Sequence, residues 1–163
     1  MVRTLQLKEV EMNVNDLVPD FTINLSDGRE TSLYYLLNKG PVILNFIMGT
    51  WCPVCTSHLS KVRSWQNKLN KNITMLIITS ETSDNIIKYQ NENKTSYLFA
   101  SDHDLKIINM FNLRLMLMDI AKPATYLIDS DKHIKISFNK MRSKKNTDKL
   151  LTKVCETCDN SPT

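Results

Sequence analysis

The chain has 163 residues, 42% of them hydrophobic and 23% charged, the balance of one ordinary globular domain rather than of a disordered chain. A formal charge of +4 is too mild for the basic stripe of a nucleic-acid binder. No run approaches the ~18 consecutive apolar residues of a membrane-spanning helix, and residues 1–15 carry charges of both signs without an apolar stretch of signal-peptide length. The expected location is therefore cytoplasmic, or extracytoplasmic if a leader has been removed.

Residues 1–16 are weakly patterned and read as an extension. Phe21, Ile23 and Leu25 alternate with polar neighbours, as in a half-buried strand. Asp27-Gly28 is turn chemistry, and Ser32 followed by Leu33, Leu36 and Leu37 predicts a short helical turn ended by Gly40-Pro41. Val42 to Ile47 is continuous, apolar and rich in β-branched residues, which predicts a central strand covered on both faces. Val54, Leu59, Val62, Trp65 and Leu69 then recur at helical spacing, predicting a helix from 53 to about 70.

Residues 73–79 predict a second buried strand, and Ser83 to Glu92 a capped helix. Tyr97 to Ala100 reads as a short strand, and a further helix opens at Asp102 or His103. Leu113 to Ile120 is a loop rich in Leu and Met; the cluster Met110 to Met118 reads more readily as core filling than as a binding surface. Ala124 to Asp129 and Ile134 to Phe138, joined by Ser130 to His133, predict an antiparallel hairpin. Lys140, Arg142, Lys144 and Lys145 form a basic connector, and Leu150, Leu151 and Val154 predict a closing helix over 147–158. Strands alternating with helices, then a hairpin and a final helix, make an α/β architecture: a mixed sheet with helices on both faces.

The four cysteines form two CxxC pairs, Cys52/Cys55 and Cys155/Cys158. In Met48-Gly49-Thr50-Trp51-Cys52-Pro53-Val54-Cys55 the first pair follows the central strand and opens a helix. A helix N-terminus offers unpaired N–H groups and a positive dipole end, so a thiolate at Cys52 is stabilised there and becomes a nucleophile for disulfide exchange. Cys55 lies one turn on, within reach to close a disulfide, and Pro53 suits a first helical position. Two other readings stand beside this one. In one the pairs are halves of a four-cysteine zinc-binding or interaction module, although their separation is long for a structural zinc site; in the other the thiols are small buried hydrophobes.

Over roughly residues 17–138 the chain resembles the redoxin group of the thioredoxin-like superfamily, which joins the alkyl hydroperoxide reductase/thiol-specific antioxidant (AhpC/TSA) proteins to TlpA-like thiol-disulfide oxidoreductases. The residues that carry the resemblance are Pro19-Asp20-Phe21, Asp27-Gly28, Ser32-Leu33, Leu44-Asn45-Phe46, Gly49 to Cys55, and Pro123 to Asp129. The resemblance implies a single thioredoxin-like domain spanning 1–163, with no cofactor and no metal beyond a redox-active Cys52–Cys55 disulfide. Its partners would be protein disulfides or dithiols and a thiol reductant, with no nucleic acid and no membrane span, in a monomer or weak dimer.

Within this group, peroxiredoxins carry a Thr three residues before the peroxidatic Cys and an Arg near the later strand. Here Gly49, or Cys52 in the other register, stands at the Thr position and Pro123 at the Arg position. The pattern therefore favours the TlpA-like branch, with Cys52 as nucleophile, Cys55 as resolving thiol, and Trp51, Lys122 and Pro123 lining a substrate groove. A thiol-dependent peroxidase is the runner-up. The resemblance also implies a cis Lys122–Pro123 bond.

Thioredoxins place a buried acid where this chain has Phe46, and some TlpA-like proteins place a Glu where it has His58. His58 is thus the third candidate catalytic residue. It lies three residues beyond Cys55 on the same helical face and is suited to take the proton of Cys55. On spacing alone, a helix-surface histidine is the preferred reading.

The second pair, near a helix C-terminus and beside Glu156, sits where a thiolate is disfavoured. It reads as a tail pair, or as a shuttling disulfide if it exchanges with the first. His103 and His133 read as surface residues, and no HExxH, P-loop or GxGxxG motif occurs.

Overall fold

A computed structural model describes residues 11–65, 68–69, 72–95, 97–139 and 144–159, without the side chains of 144, 158 and 159. The extension expected over 1–16 lies largely outside the described residues, as do Lys140 and Arg142 of the basic run. What is described of that run, Lys144 and Lys145, belongs to the last helix rather than to a connector.

The first strands among the described residues form a hairpin of β1 (Thr22–Asn24) and β2 (Glu30–Ser32), turned at Gly28, whose φ of 88° is the left-handed conformation that glycine takes without a steric penalty. Only the first arm is visible as apolar alternation; β2 is the polar run Glu30-Thr31-Ser32, so periodicity does not announce it. Ser32 caps α1 (Leu33–Leu37), its hydroxyl accepting from the Tyr35 N–H at 3.2 Å.

β3 (Val42–Phe46) is buried at every residue, as expected of a central strand. It lies in a five-stranded sheet of order β5-β4-β3-β6-β7, with β4 (Thr74–Thr79), β5 (Leu98–Ser101), β6 (Ala124–Ile128) and β7 (Ile134–Phe138). β3 runs parallel to β4 and antiparallel to β6, and β6 and β7 form the expected hairpin.

Two cores lie on the two sheet faces. Leu44, Phe46, Leu76, Ile78, Tyr126 and Ile128 pack with α1 and α4 (Lys106–Met110). Ile43, Ile47, Met75, Ile77, Leu127 and Ile136 pack with α2 (Pro53–Trp65), α3 (Ser83–Asn93) and α5 (Lys144–Asp159). The period-two alternation along β3 decides which side chain meets which helices, and it turns Asn45 toward the face that carries α2.

The helix expected to open at Asp102 begins at Lys106 instead. The Asp102 carboxylate accepts from the Ile107 and Ile108 N–H groups at 3.1 and 2.7 Å, so it caps the helix across an intervening turn. The Leu/Met loop leaves the core: residues 113–122 fold back through an Arg114–Ala121 bridge, leaving Met116, Leu117 and Met118 82%, 96% and 51% exposed. The fold-back turns those side chains away from both cores, which corrects the core-filling reading for Met116 and Met118, whereas Met110 packs against the core as expected. No helix among the described residues is long and apolar enough to cross a membrane.

Candidate functional site

β3 ends at Phe46, and the next residues turn over the carboxyl end of the sheet, where α/β folds place their sites. The Cys52 N–H bonds the Gly49 carbonyl at 3.2 Å, and the Cys52 carbonyl accepts from Thr56 at 3.0 Å as the first bond of α2. Cys52 therefore occupies the cap position and Pro53 the first helical one, as the sequence predicts.

The two thiols differ in access. Cys52 is 8% exposed and Cys55 is 1% exposed, and both are free. Burial pushes the Cys55 thiol up to about 11; its hydrogen bond to the Cys52 sulfur adds to this, while backbone N–H groups of Met48 and Gly49 pull the other way. Cys55 is thus the partner that keeps its proton, and Cys52 the one that outside sulfur can reach. Trp51 and Val54, which flank Cys52 and Cys55 in the chain, stand 60% and 50% exposed.

Glu81, which sequence reasoning did not single out, holds the loop. Its carboxylate accepts from the Thr50 N–H and, at 2.7 Å, from the Thr50 hydroxyl. The Trp51 indole and the Glu81 carboxylate fill the space where a side chain at Gly49 would project. Glycine at 49 is therefore imposed by close packing. Nothing in the sequence near Glu81 signals this, because its partner lies 31 residues away.

His58 is not the surface residue that its spacing suggested. It is 2% exposed, because α5 closes over this face of α2. Its Nε2 lies 3.1 Å from Asn45 Oδ1 and its Nδ1 3.2 Å from the Thr147 hydroxyl, and its ring meets Trp65 edge-on at 6.0 Å. Asn45 Oδ1 also accepts from the Thr125 hydroxyl at 2.8 Å, and its amide faces the Met75 sulfur at 3.2 Å. Four elements, β3, β6, α2 and α5, thus meet in one buried polar cluster beneath the cysteine pair. Asn45 and Thr125 were visible only as members of motifs, and Thr147 only as the start of the last helix, since single polar side chains in helices and strands carry no pattern.

The Lys122–Pro123 bond is trans; no cis peptide occurs among the described residues. The hairpin at 113–122, with the Lys122 N–H donating to the Leu113 carbonyl at 2.6 Å, already delivers an extended chain into β6, so no reversal is needed before Pro123. Ala124 pairs with Phe46, which sets Lys122 and Pro123 at the same end of the sheet as the cysteines; Lys122 is exposed and Pro123 partly buried.

Cys155 is free and partly buried on α5, and the side chain of Cys158 lies outside the described residues. Among the described residues no three His, Cys, Asp or Glu side chains converge as a metal site. The described arginines Arg29, Arg63 and Arg114 bond Asp27, the Asn93 carbonyl and Asp119, none of them in the cysteine loop. His103, exposed as expected, faces the Ser80 carbonyl at 3.1 Å.

The family model described as "AhpC/TSA family" matches residues 14–137. A 1-Cys peroxiredoxin of Medicago truncatula is 25% identical over 140 residues, 78% of this chain, which spans 64% of that protein's length. The thioredoxin-like protein YneN of Bacillus subtilis is 24% identical over 132 residues, 79% of this chain and 73% of the relative. Among solved structures, peroxidoxin BcpB from Mycobacterium tuberculosis superposes with a TM-score of 0.78 at 24% identity, covering 88% of this chain and 97% of the other, which shows the shared thioredoxin-like fold. The family match and these relatives support a thiol-dependent redox function.

Proposed function

Since the chain belongs to the AhpC/TSA family, we propose that it is a thiol-disulfide oxidoreductase acting through Cys52 and Cys55. The observation that supports this reading is the asymmetry of the pair: a cap-position thiol that keeps 8% exposure, and a partner at 1% whose thiol burial pushes up to about 11. The Cys52 thiolate attacks one sulfur of a partner disulfide, forming a mixed disulfide and releasing the other sulfur as a thiolate. The Cys55 thiolate then attacks Cys52 Sγ; the Cys52–Cys55 bond forms, the bond to the partner breaks, and the partner sulfur leaves with the electron pair. The pair is oxidised by two electrons and the partner disulfide is reduced. A thiol reductant restores the dithiol.

Trp51 and Val54 border the approach to Cys52, and Lys122 and Pro123 line its far side. His58 takes the Cys55 proton when the mixed disulfide resolves. Gly49 leaves no room for the Thr of a peroxiredoxin, and the described arginines are committed elsewhere.

The peroxiredoxin names among the relatives favour a second reading, peroxide reduction. In it Cys52 takes one peroxide oxygen to become a sulfenic acid, an alcohol or water leaves, and condensation with Cys55 expels water and closes the disulfide.

One assay separates the two readings: the reduced protein is offered insulin disulfide and hydrogen peroxide side by side. Faster consumption of insulin disulfide is expected; peroxide turnover that outpaces it reverses the ranking, and turnover of neither removes both.

A further inference from the structure

Residues 113–122 form an arm that folding alone does not explain. Its two sides are joined by the Arg114–Ala121 bridge and by the Leu115 N–H, which donates to the Ile120 carbonyl at 3.0 Å. The Met118 N–H bonds the Leu115 carbonyl at 3.0 Å, so Leu115 to Met118 make a four-residue turn at the tip. Leu117 holds the third place of that turn with a φ of 58°. A positive φ there favours Gly or Asn, because the Cβ of a bulkier residue crowds the backbone. Leu117 carries this strain while 96% exposed, with no packing to offset it. Met116 and Met118 stand in water on either side of it.

Arg114 clamps the arm, donating to the Asp119 carboxylate at 2.8 Å and to the Met118 carbonyl at 3.4 Å. Its charge is thereby paired, and Leu115 to Met118 carry none. The arm is also anchored beside the cysteines. Ser80 and Glu81 directly follow β4: the Ser80 hydroxyl donates to the Asp119 carbonyl at 2.5 Å, and the Glu81 carboxylate accepts from Thr50. Two adjacent residues thus hold the arm and the Cys52 loop side by side at the carboxyl end of β4.

We propose that this arm is a docking surface for the protein disulfides that Cys52 attacks, and that its occupant is an extended, uncharged segment with apolar side chains flanking the disulfide. This rests on the disulfide-exchange reading above and carries the contact beyond Trp51, Val54, Lys122 and Pro123. A thiol only 8% exposed is met by a disulfide on a protruding segment, and the residues next to that disulfide run over the end of the sheet where the arm stands. The uncharged tip complements an apolar segment, since a charge pressed against it loses hydration without gaining a partner.

The described ends of the chain itself lie elsewhere. The N–H groups of Asn15 and Val18 bond the carbonyls of Ile134 and Lys132, along β7 and the turn before it, and α5 packs on α2. A tip of three side chains also falls far short of the about 800 Å² per partner of a stable interface. It suits a partner that must leave after each turnover better than a permanent second copy.

The test offers the reduced full chain two synthetic peptides with the same disulfide, one flanked by Leu and Val and one by Ser, and 5,5′-dithiobis(2-nitrobenzoate) as a small disulfide without a peptide chain. Wild type should favour the apolar peptide about tenfold in kcat/KM. Leu117→Asn should remove that preference through KM and leave the rate with the small disulfide unchanged. It should melt at or above the wild-type temperature, because Asn accepts the positive φ. Equal use of both peptides by wild type overturns the proposal, as does a preference that survives in Leu117→Asn, equal slowing on all three substrates, or a lower melting temperature. A wild-type dimer on size exclusion that Leu117→Asn dissociates overturns it in favour of a second copy. Wild type that reduces none of the three instead sinks the disulfide-exchange reading itself.

Discussion

His58 Nε2 lies 3.1 Å from Oδ1 of Asn45, inside the core and one helical turn below the buried member of the cysteine pair. The contact joins the helix that carries the thiols to the central strand that feeds it. His58→Ala would remove the ring from Asn45 and Thr147 at once and leave a cavity beside Trp65. The expected loss is about 3 kcal/mol, from groups stripped of a partner and from lost packing. Urea unfolding followed by tryptophan fluorescence measures it; a loss well under 1 kcal/mol would mean that the cluster contributes little.

The two cysteines should fail differently. Cys52→Ser is expected to abolish reduction of insulin disulfide. Cys55→Ser should leave the first attack intact and accumulate a covalent mixed disulfide, visible as added mass that a reductant removes. Trapping by Cys52→Ser rather than by Cys55→Ser would exchange the roles assigned here.

Alkaline pH offers an independent reading of Cys55. Its folded value is raised from 9.0 to about 11. Between those values the folded chain holds a proton that the unfolded chain has released, so stability falls as pH rises through this window and is unaffected by this group below it. Reduced wild type should therefore lose more stability from pH 9 to 11 than Cys55→Ser does. Tyr97 and Tyr126, also shifted up by burial, are common to both proteins and cancel in the comparison. Parallel curves for the two proteins would contradict the burial argument.

Gly49 and Glu81 form a packing lock on the loop. A methyl group at 49 meets the Trp51 indole and the Glu81 carboxylate, so Gly49→Ala should cost about 2 kcal/mol by overpacking. Glu81→Gln keeps the shape but replaces one of the two carboxylate acceptors facing Thr50 with a donor; a loss of about 1–3 kcal/mol is expected. Calorimetric melting of both variants checks this, and wild-type stability in both would remove the lock.

Much of the fold was legible because it is written in local patterns. The unbroken apolar run Val42 to Ile47 announced the central strand, the stripe Val54, Leu59, Val62 and Trp65 announced α2, and the clean alternation of residues 134–138 announced the last strand. The Cys52/Cys55 pair was equally plain, since a CxxC between strand and helix is a local arrangement. The polar strand β2 and the late start of α4 were not legible, because one lacks apolar periodicity and the other depends on a carboxylate capping across a turn.

By itself the sequence determined where the paired sulfurs of Cys52 and Cys55 lie and what surrounds them along the chain, because secondary structure and cap position follow from neighbours. Only tertiary structure decided the environment that sets their chemistry. A helix stripe does not state which helix will cover it, so His58 read as a surface residue until α5 was laid across α2. Glu81 joined the loop, and Thr147 the histidine, across 31 and 89 residues of chain. Pro123 proved trans because the hairpin before it, not the motif around it, delivers the chain to the sheet. Contacts of this kind are made by packing, and packing has no period to read.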